Sequence, residues 1–323
     1  MELVGKRKLK EYFDSLVKNR ALGQFYIFEG PEGVGKKTFA DYVAAAVHCE
    51  GENPPCGVCG SCIKHKTHNH PDFIRIKNED ASLKTLSVDT VRHFSEDMYT
   101  KPFLSDTKIY VLDDFLPITA EAQNAFLKIL EEPPSYAVIF LLVKNTAELL
   151  QTVLSRGMLC RVDPCSKKEI SEYIKKYYPE AASRAELIAE FSGGIAGSAK
   201  AMAEGGEYFA LRRSFYDILS KSGGAKPAEL FEVSDYVQKN KENLNLLLNF
   251  LLSWLRDAVC VKLAQGEDGI INYDYGESIC AFSSAFTAEQ LMRAAEETEK
   301  TAFYFSPGNN LSLWMLNLVK SLQ

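Results

Sequence analysis

The chain has 323 residues, of which 46% are hydrophobic and 25% are charged, and its formal net charge is -6. This composition is typical of a globular protein with room for two or three domains, and it excludes disordered and collagen-like classes. The acidic balance excludes a basic field over the whole surface, so contact with nucleic acid is expected to need a local patch or a partner.

The N-terminal sequence "MELVGKRKLKEYF" lacks the apolar core of a secretory signal. No apolar run approaches the roughly 20 residues that a membrane span needs. We therefore expect a cytoplasmic protein without a membrane partner.

Strands and helices alternate along the first half of the chain, through about residue 163. Apolar runs predict strands at residues 25–29, 72–76, 108–115 and 137–143. The helices between them include one rich in alanine after the first strand, one with Ser87 as N-cap, and one that begins after Thr119 and stops at Pro133-Pro134. The alternation predicts a parallel α/β sheet covered by helices on both faces.

Beyond that point the strand patterns stop. Ser166 and Glu169 have the spacing of a capping box, and a second short helix ends at Gly193-Gly194, which predicts a small helical module. After about residue 206 every periodic segment is helical. An apolar stripe there is expected to be core, together with two tryptophans: Leu244, Leu247, Leu248, Leu251, Leu255, Trp254 and Trp314. We expect domains at 1–165, 166–205 and 206–323.

The first predicted strand runs into "GPEGVGKKT", residues 30–38, and a helix follows. A phosphate-binding loop needs this order, because glycines free the backbone N–H groups to point at phosphate oxygens and the helix adds its positive end. The residues that supply these features are Gly30, Gly33, Gly35 and Lys36. The pattern predicts a phosphate-loop fold with a nucleotide site.

Two positions in this site depart from a hydrolytic one. Lys37 stands where a Ser or Thr ligates magnesium, and an ammonium has no lone pair to offer. Thr38 is turned by roughly 100° along the helix, so its hydroxyl is expected to point away. Asp113 fits a magnesium-holding role, but Asp114 stands where Glu normally polarises the attacking water. We expect weak or absent hydrolysis and doubtful ATP and Mg²⁺ binding.

Four cysteines crowd into fourteen residues as C-x6-C-x2-C-x2-C: Cys49, Cys56, Cys59 and Cys62. Four thiolates close a tetrahedral shell, so the spacing predicts a structural Zn²⁺ site. Four nearby histidines are candidates to replace a ligand, or are loop residues: His48, His65, His68 and His70. The remaining cysteines are expected to be free and buried: Cys160, Cys165, Cys260 and Cys280.

The segments "AQNAFLKILEEPP" (122–134) and "LSRGMLCRV" (154–162), with the loop, the cysteine cluster and "KIYVLDDF", resemble the clamp-loader subunits of bacterial DNA polymerase III, a branch of the AAA+ ATPases. The resemblance covers essentially the whole chain. The altered catalytic positions resemble the delta-prime branch of this family, whereas the gamma/tau motor keeps Thr after the loop lysine and Asp-Glu on the second strand. The family also carries a zinc module after the phosphate-loop helix.

The resemblance implies roles for particular residues. In the family's Ser-Arg-Cys motif, here Ser155-Arg156-Gly157, the arginine acts in trans on ATP of the neighbouring subunit. Asn145 or Thr146 matches the first polar sensor, and Ser198 stands where a second-sensor arginine is expected. Val4 and Gly5 match the segment that lines the adenine pocket.

The resemblance also implies a helical collar in the third domain, through which subunits form a ring. The function we expect is a largely non-hydrolysing subunit that completes the pentameric loader, with the gamma/tau-type ATPase, delta, the sliding clamp and primed DNA as partners. No intrinsic catalysis is expected, although the chain would count as a component of the DNA polymerase III holoenzyme. The alternatives are an ATP-hydrolysing gamma/tau-type motor and a zinc-dependent nucleic-acid-binding module.

Overall fold

A computed structural model describes residues 3–76, 88–113, 120–221, 227–264 and 269–304. Contacts divide the chain into two compact units, Met1–Ala201 and Met202–Gln323. The predicted N-caps Ser87 and Thr119 lie outside the described residues, and the predicted three-domain boundaries stay a prediction.

The first unit contains a parallel sheet with strand order β2-β3-β4-β1-β5. The strands are β1 (Phe25–Glu29), β2 (Phe73–Ile76), β3 (Lys108–Leu112), β4 (Ala137–Val143) and β5 (Met158–Arg161). The helices that begin in this unit are α1 (Arg7–Lys18), α2 (Lys36–Val47), α3 (Gly60–Lys66), α4 (Val88–Met98), α5 (Ala120–Glu131), α6 (Gln151–Leu154), α7 (Lys167–Tyr177), α8 (Ala185–Phe191) and α9 (Ala196–Glu204). The predicted parallel α/β fold is confirmed.

The sheet has a hydrophobic core on each face, because successive side chains of a strand point to opposite sides. On one face Phe28 of β1 meets Phe13 of α1 and Phe39 of α2, with ring centroids 5.6 Å and 5.4 Å away. On the other face Phe25 lies 5.8 Å from Phe126 of α5. All five rings are buried. Packing on both faces fixes the carboxyl end of β1, where the glycine loop begins.

Strand β5 is not predicted by the sequence. Its side chains are exposed at Met158, Leu159 and Arg161 and buried at Cys160, and it pairs within the sheet with β1 alone. An edge strand of four residues with one buried side chain has no continuous apolar run. Hydrogen bonding to β1, which depends on the tertiary fold, defines it instead.

A buried carboxylate anchors the segment before β3. Asp72 is 1% exposed, and its oxygens accept hydrogen bonds from the backbone N–H groups of Phe103, Leu104 and Ser105 at 2.5, 2.8 and 2.9 Å. The Ser105 hydroxyl adds a fourth bond at 2.9 Å. Burial alone would raise the pKa of Asp72, but these four bonds outweigh it and hold the pKa below the ordinary value.

We expect Asp72→Asn to lower the free energy of unfolding by about 2 kcal/mol at pH 7, because the amide loses the charge that the N–H donors stabilise. Since the folded pKa is depressed, this contribution is present above the unfolded pKa and is lost as pH falls through the folded one. Urea unfolding of wild type, Asp72→Asn and the exposed control Asp106→Asn across acidic pH measures it. A difference that stays constant down to the lowest pH would contradict this account.

Every secondary-structure element described in the second unit is a helix. Its helices are α10 (Gly206–Lys221), α11 (Pro227–Lys239), α12 (Leu244–Ala264), α13 (Gly276–Ser284) and α14 (Ala288–Tyr304). The predicted apolar stripe of α12 is buried, as is Trp254, whereas Trp314 lies outside the described residues. Among the helices described in either unit, none combines the length and the apolar character needed to cross a membrane.

Candidate nucleotide site and metal centre

The glycine loop joins β1 to α2 in the backbone conformation that its glycines allow. Gly33 and Gly35 have φ angles of 74° and 107°, which L side chains rarely adopt. Gly35 is the N-cap of α2 and has no side chain to satisfy the first N–H groups of that helix, so they are suited to an anion. The Lys36 ammonium donates to the carbonyl oxygens of Gly30 and Pro31 at 2.5 and 2.9 Å.

Lys37 forms an ion pair with Asp113, the residue that directly follows β3. The Asp113 side chain is 10% exposed and the Lys37 side chain 54%. These are the two positions from which the fold family would hold magnesium. Lys37 and Asp113 do not fit a magnesium ion. The Asp113 carboxylate is already neutralised by the Lys37 ammonium, and that ammonium has no lone pair with which to bind a metal. Asp114 lies outside the described residues.

A cavity of about 630 Å³ opens over this loop. Residues from the N-terminal segment, the glycine loop, the ends of β3 and β4, and helices α7 and α9 line it: Leu3, Val4, Glu32, Gly33, Val34, Gly35, Lys36, Lys37, Thr38, Asp113, Leu142, Val143, Lys144, Tyr173, Ala196, Gly197 and Lys200. Its volume lies within the range of small-molecule sites. Of the residues predicted for the nucleotide site, Val4 lines the cavity, whereas Gly5 and Gly30 do not. Gly5 lies next to Cys165 and Glu169 instead.

Among the lining residues that the sequence motifs do not single out are Lys144, Tyr173 and Lys200. Helix α9 reaches the loop through the Gly197 N–H, which donates to the Gly33 carbonyl at 2.9 Å. This contact brings Lys200, two positions beyond Ser198, to the cavity. The segment "GGIAGSAKAM" has no arginine for a second sensor, and Lys200 is its one basic residue.

The residues predicted as the first sensor, Asn145 or Thr146, lie just after β4, and their sensor role stays a prediction. The Asn145 Oδ1 accepts from the Ala147 N–H at 2.9 Å and caps a short 3-10 turn, and Asn145 is not among the residues lining the cavity. The preceding Lys144 does line it and pairs with Glu32 at 2.6 Å, which lowers the pKa of Glu32. Thr146 donates its hydroxyl to Glu29 at 2.8 Å.

Arg156 lies outside this cavity, between the end of α6 and the start of β5. Its guanidinium donates to the Thr152 carbonyl at 2.9 Å and to Glu131 at 3.1 Å, and the side chain is 35% exposed. The next residue explains one departure from the family motif. A Cβ on Gly157 would approach Ile27 and Phe25 to 2.7 Å, so this backbone has no room for a larger residue.

The four clustered cysteines converge as a metal site requires. Their sulfur atoms lie within 4.8 Å of one another, and those of Cys56 and Cys62 are 4.0 Å apart. Zn–S bonds of about 2.3 Å in a tetrahedron place sulfurs roughly 3.8 Å apart. Backbone N–H groups point at these sulfurs, at 3.3 Å from Cys56 to Cys49 and 3.4 Å from Cys62 to Cys59. Hydrogen bonds, first the one from the Cys62 N–H and then the one from the Glu50 N–H, lower the pKa of Cys59 to about 6, which favours the thiolate that a metal binds. The residues thus fit a structural metal ion.

The neighbouring histidines form a separate cluster. His48, His65 and His70 are buried, and the His48 Nδ1 lies 2.8 Å from the His65 Nε2. The His70 ring stacks on both others at 4.3 and 4.5 Å. His68 is exposed. Because the four sulfurs converge without them, these histidines are not needed as substitute ligands.

The other cysteines differ in burial. Cys160 and Cys165 are buried, as predicted, and burial raises the pKa of each thiol. The prediction was wrong for Cys260 and Cys280, which are half-buried. Both belong to amphipathic helices of the second unit, where partly exposed positions flank the core.

Comparisons with known proteins agree with this architecture. A family model described as "DNA polymerase III, delta subunit" matches residues 5–166, and one described as "DNA polymerase III, delta subunit, C terminal" matches residues 207–319. The chain is 27% identical to DNA polymerase III subunit delta' of Bacillus subtilis over 84% of its length and 82% of that protein. It is 30% identical to subunit tau/gamma of Haemophilus influenzae over 54% of its length, which spans about a quarter (25%) of that relative.

Solved structures are more distantly similar. A gamma subunit-related protein of DNA polymerase III from Thermotoga maritima is 18% identical with a TM-score of 0.45, over 96% of this chain and 97% of that one. The RuvB Holliday junction branch migration motor of the same organism is 16% identical with a TM-score of 0.43, over 94% and 89%.

Proposed function

Because this chain belongs to the delta subunit family of DNA polymerase III, as a clamp-loader subunit of the delta-prime type, we propose that it is a largely non-hydrolysing AAA+ subunit of that loader. In this proposal it completes a pentameric ring in the cytoplasm with delta and gamma/tau-type subunits. It gives Arg156 in trans to ATP on a neighbouring subunit while the ring places the sliding clamp on primed DNA. Its cysteine cluster holds structural zinc.

The observation that carries the non-hydrolysing role is the ion pair between Lys37 and Asp113. Hydrolysis in this class of site depends on Mg²⁺ that bridges the phosphates and neutralises the charge developing in the transition state. An ammonium bonded to the carboxylate opposes a divalent ion at that place, since like charges repel across a partly buried site. The phosphate loop keeps its shape, but the residues beside it do not fit the metal on which hydrolysis depends.

The placement of Arg156 supports the second part of the proposal. An arginine that serves its own subunit would line that subunit's cavity, and this one does not. It precedes the edge strand β5, on which Met158 and Leu159 are 49% and 43% exposed. Exposed apolar side chains beside a guanidinium are typical of an interface, where arginine is enriched. The ion pair of Arg156 with Glu131 lies at the surface and contributes little to stability, so the guanidinium can leave Glu131 and bind a phosphate instead.

Purified on its own, the chain is expected to show ATP turnover no higher than the assay background. Steady-state phosphate release, with a gamma/tau-type subunit of the same organism as positive control, measures this. A turnover of about 1 s⁻¹ or more, which is ordinary for an enzyme, would contradict the proposal if Lys36→Ala abolished it. Such a result would identify the chain as a motor.

A further inference from the structure

We propose that the metal in the cysteine cluster fixes the backbone of residues 103–107 through a relay of four buried side chains. This buried relay consists of the histidine cluster and one carboxylate: His48, His65, His70 and Asp72. The inference rests on one part of the proposed function, the structural metal ion, and is independent of the arginine finger and of the nucleotide site. It gives a role to three buried histidines that metal binding does not use.

The first step is the position of two histidines beside metal ligands. His48 directly precedes Cys49, just after the end of α2, and His65 follows Cys62 by three residues on α3. The metal ion and the contact between His48 and His65 therefore join the same two parts of the chain at neighbouring points. Helix α3 has only seven residues, so without the ion its position, and that of His65 with it, is held less firmly.

The three imidazole rings do not share an ion of their own. An imidazole nitrogen binds a metal in the plane of its ring, through a lone pair that lies in that plane. The His70 ring stacks on the other two nearly in parallel, with interplanar angles of 16° to His48 and 22° to His65. An ion in the plane of His70 would lie outside the planes of the rings beneath it. The cluster is therefore explained by packing and hydrogen bonding.

Hydrogen bonds of one defined direction connect α3 to residue 107. The Thr107 carbonyl can only accept, so the His48 Nε2, 2.9 Å away, carries a proton and donates it. Burial lowers the pKa of His48 to about 4, so the ring is neutral at pH 7 and its Nδ1 is an acceptor. The His65 Nε2, 2.8 Å from that Nδ1, is therefore the donor. Moving His65 removes the bond that orients the His48 ring toward Thr107.

A second connection runs through His70 to residues 103–105. The Asp72 N–H donates to the His70 Nδ1 at 3.2 Å, and the Asp72 carboxylate accepts the three backbone N–H bonds of residues 103–105. The His70 ring packs on His65 with 4.5 Å between the centroids. Because a close-packed interior transmits displacement, loss of His65 from its place loosens His70 and then Asp72. The segment held in this way carries Phe103 with its side chain 83% exposed.

The test is hydrogen exchange at single amides of the full chain, zinc-loaded and after chelation, with zinc content measured on each sample. Chelation is expected to speed exchange of the Phe103, Leu104 and Ser105 amides about five- to tenfold, the change that loss of one net hydrogen bond produces. Amides of β1 and β4 are expected to keep their protection. Unchanged exchange at residues 103–105, in a chain that loses protection at residues 49–66, would overturn the inference.

The variant His65→Ala removes the donor and the ring but none of the four cysteines. In its zinc-loaded form, exchange at residues 103–105 is expected to be as fast as in chelated wild type, and chelation is expected to add nothing there. The matched control is Lys66→Ala, an exposed neighbour on the same helix, which is expected to behave like wild type. Wild-type exchange at residues 103–105 in zinc-loaded His65→Ala would overturn the relay.

Zinc content separates the possible failures. A wild-type chain that binds no zinc would refute both the structural metal of the proposed function and the inference that depends on it. A zinc-loaded wild-type chain whose residues 103–105 do not respond to chelation would refute the inference alone. If His65→Ala itself fails to hold zinc, the comparison of loaded with chelated wild type still decides.

Discussion

Removing the metal from the cysteine cluster is expected to lower the free energy of unfolding by about 3–4 kcal/mol, the linkage expected when an ion is present at roughly a hundred to a thousand times its Kd. The reason is local. Half of residues 49–62 are exposed, and four sulfurs that lie within 4.8 Å of one another would repel as thiolates without a cation. Helix α3, which carries Cys62, is only seven residues long and is marginal without that support.

Metal content and stability can be measured on the same samples. Wild-type chain is expected to contain about one zinc ion per molecule, and Cys59→Ser almost none. Cys280→Ser is the matched control, because Cys280 is half-buried in the second unit and outside the cluster. Hydrogen exchange after chelation is expected to lose protection at residues 49–66 first, while β1 and β4 keep theirs. Equal zinc content in Cys59→Ser and Cys280→Ser would refute the assignment.

The sheet could be predicted from sequence where each strand is buried on both faces. The runs predicted at 25–29, 108–115 and 137–143 are of this kind, and the structure has strands β1, β3 and β4 there, with β3 ending at Leu112. Strand β5 could not be predicted, since its single buried side chain leaves no pattern, and it depends on pairing with β1. Helix α3 also escaped prediction, because the cysteines that fix it are not a periodic apolar signal.

The sequence predicted several residues of the nucleotide site but not the contacts between them. Sequence identifies Lys37 as unable to ligate magnesium, yet only the fold shows that it pairs with Asp113, 76 positions later. The cavity lysines come from separate elements: Lys144 follows β4, and Lys200 lies on α9, which reaches the glycine loop through the Gly197–Gly33 hydrogen bond. No local spacing encodes that meeting. Asn145, assigned as a sensor by distance from Ser155, caps its own turn, and its sensor role stays a prediction.

In the reconstituted loader, Arg156→Ala is expected to slow hydrolysis at the facing site by about 10³-fold or more, the magnitude typical of an arginine finger. A guanidinium stabilises charge on the transferring phosphoryl group through paired N–H donors, and alanine leaves that charge without a partner. Hydrolysis slows only at the ATP site that faces this chain. The total ATP turnover of the assembly therefore falls by the fraction that this one site contributes. Single-turnover kinetics resolve it as a missing phase.

Two controls separate chemistry from assembly. Arg156→Lys keeps the positive charge but not the planar fork, and we expect it to remain strongly impaired. Arg7→Ala removes an exposed arginine whose side chain is 86% accessible and pairs with Glu11, and we expect wild-type kinetics from it. Each variant must first elute with the partner subunits at the same size and stoichiometry as wild type.

The central claim is that this chain serves ATP chemistry on its neighbour and performs none in its own site. The most direct measurement is single-turnover ATP hydrolysis by the full assembly containing Arg156→Ala. The account predicts loss of one hydrolytic phase with assembly intact. Hydrolysis at the wild-type rate and amplitude, in an assembly of unchanged composition, would contradict it.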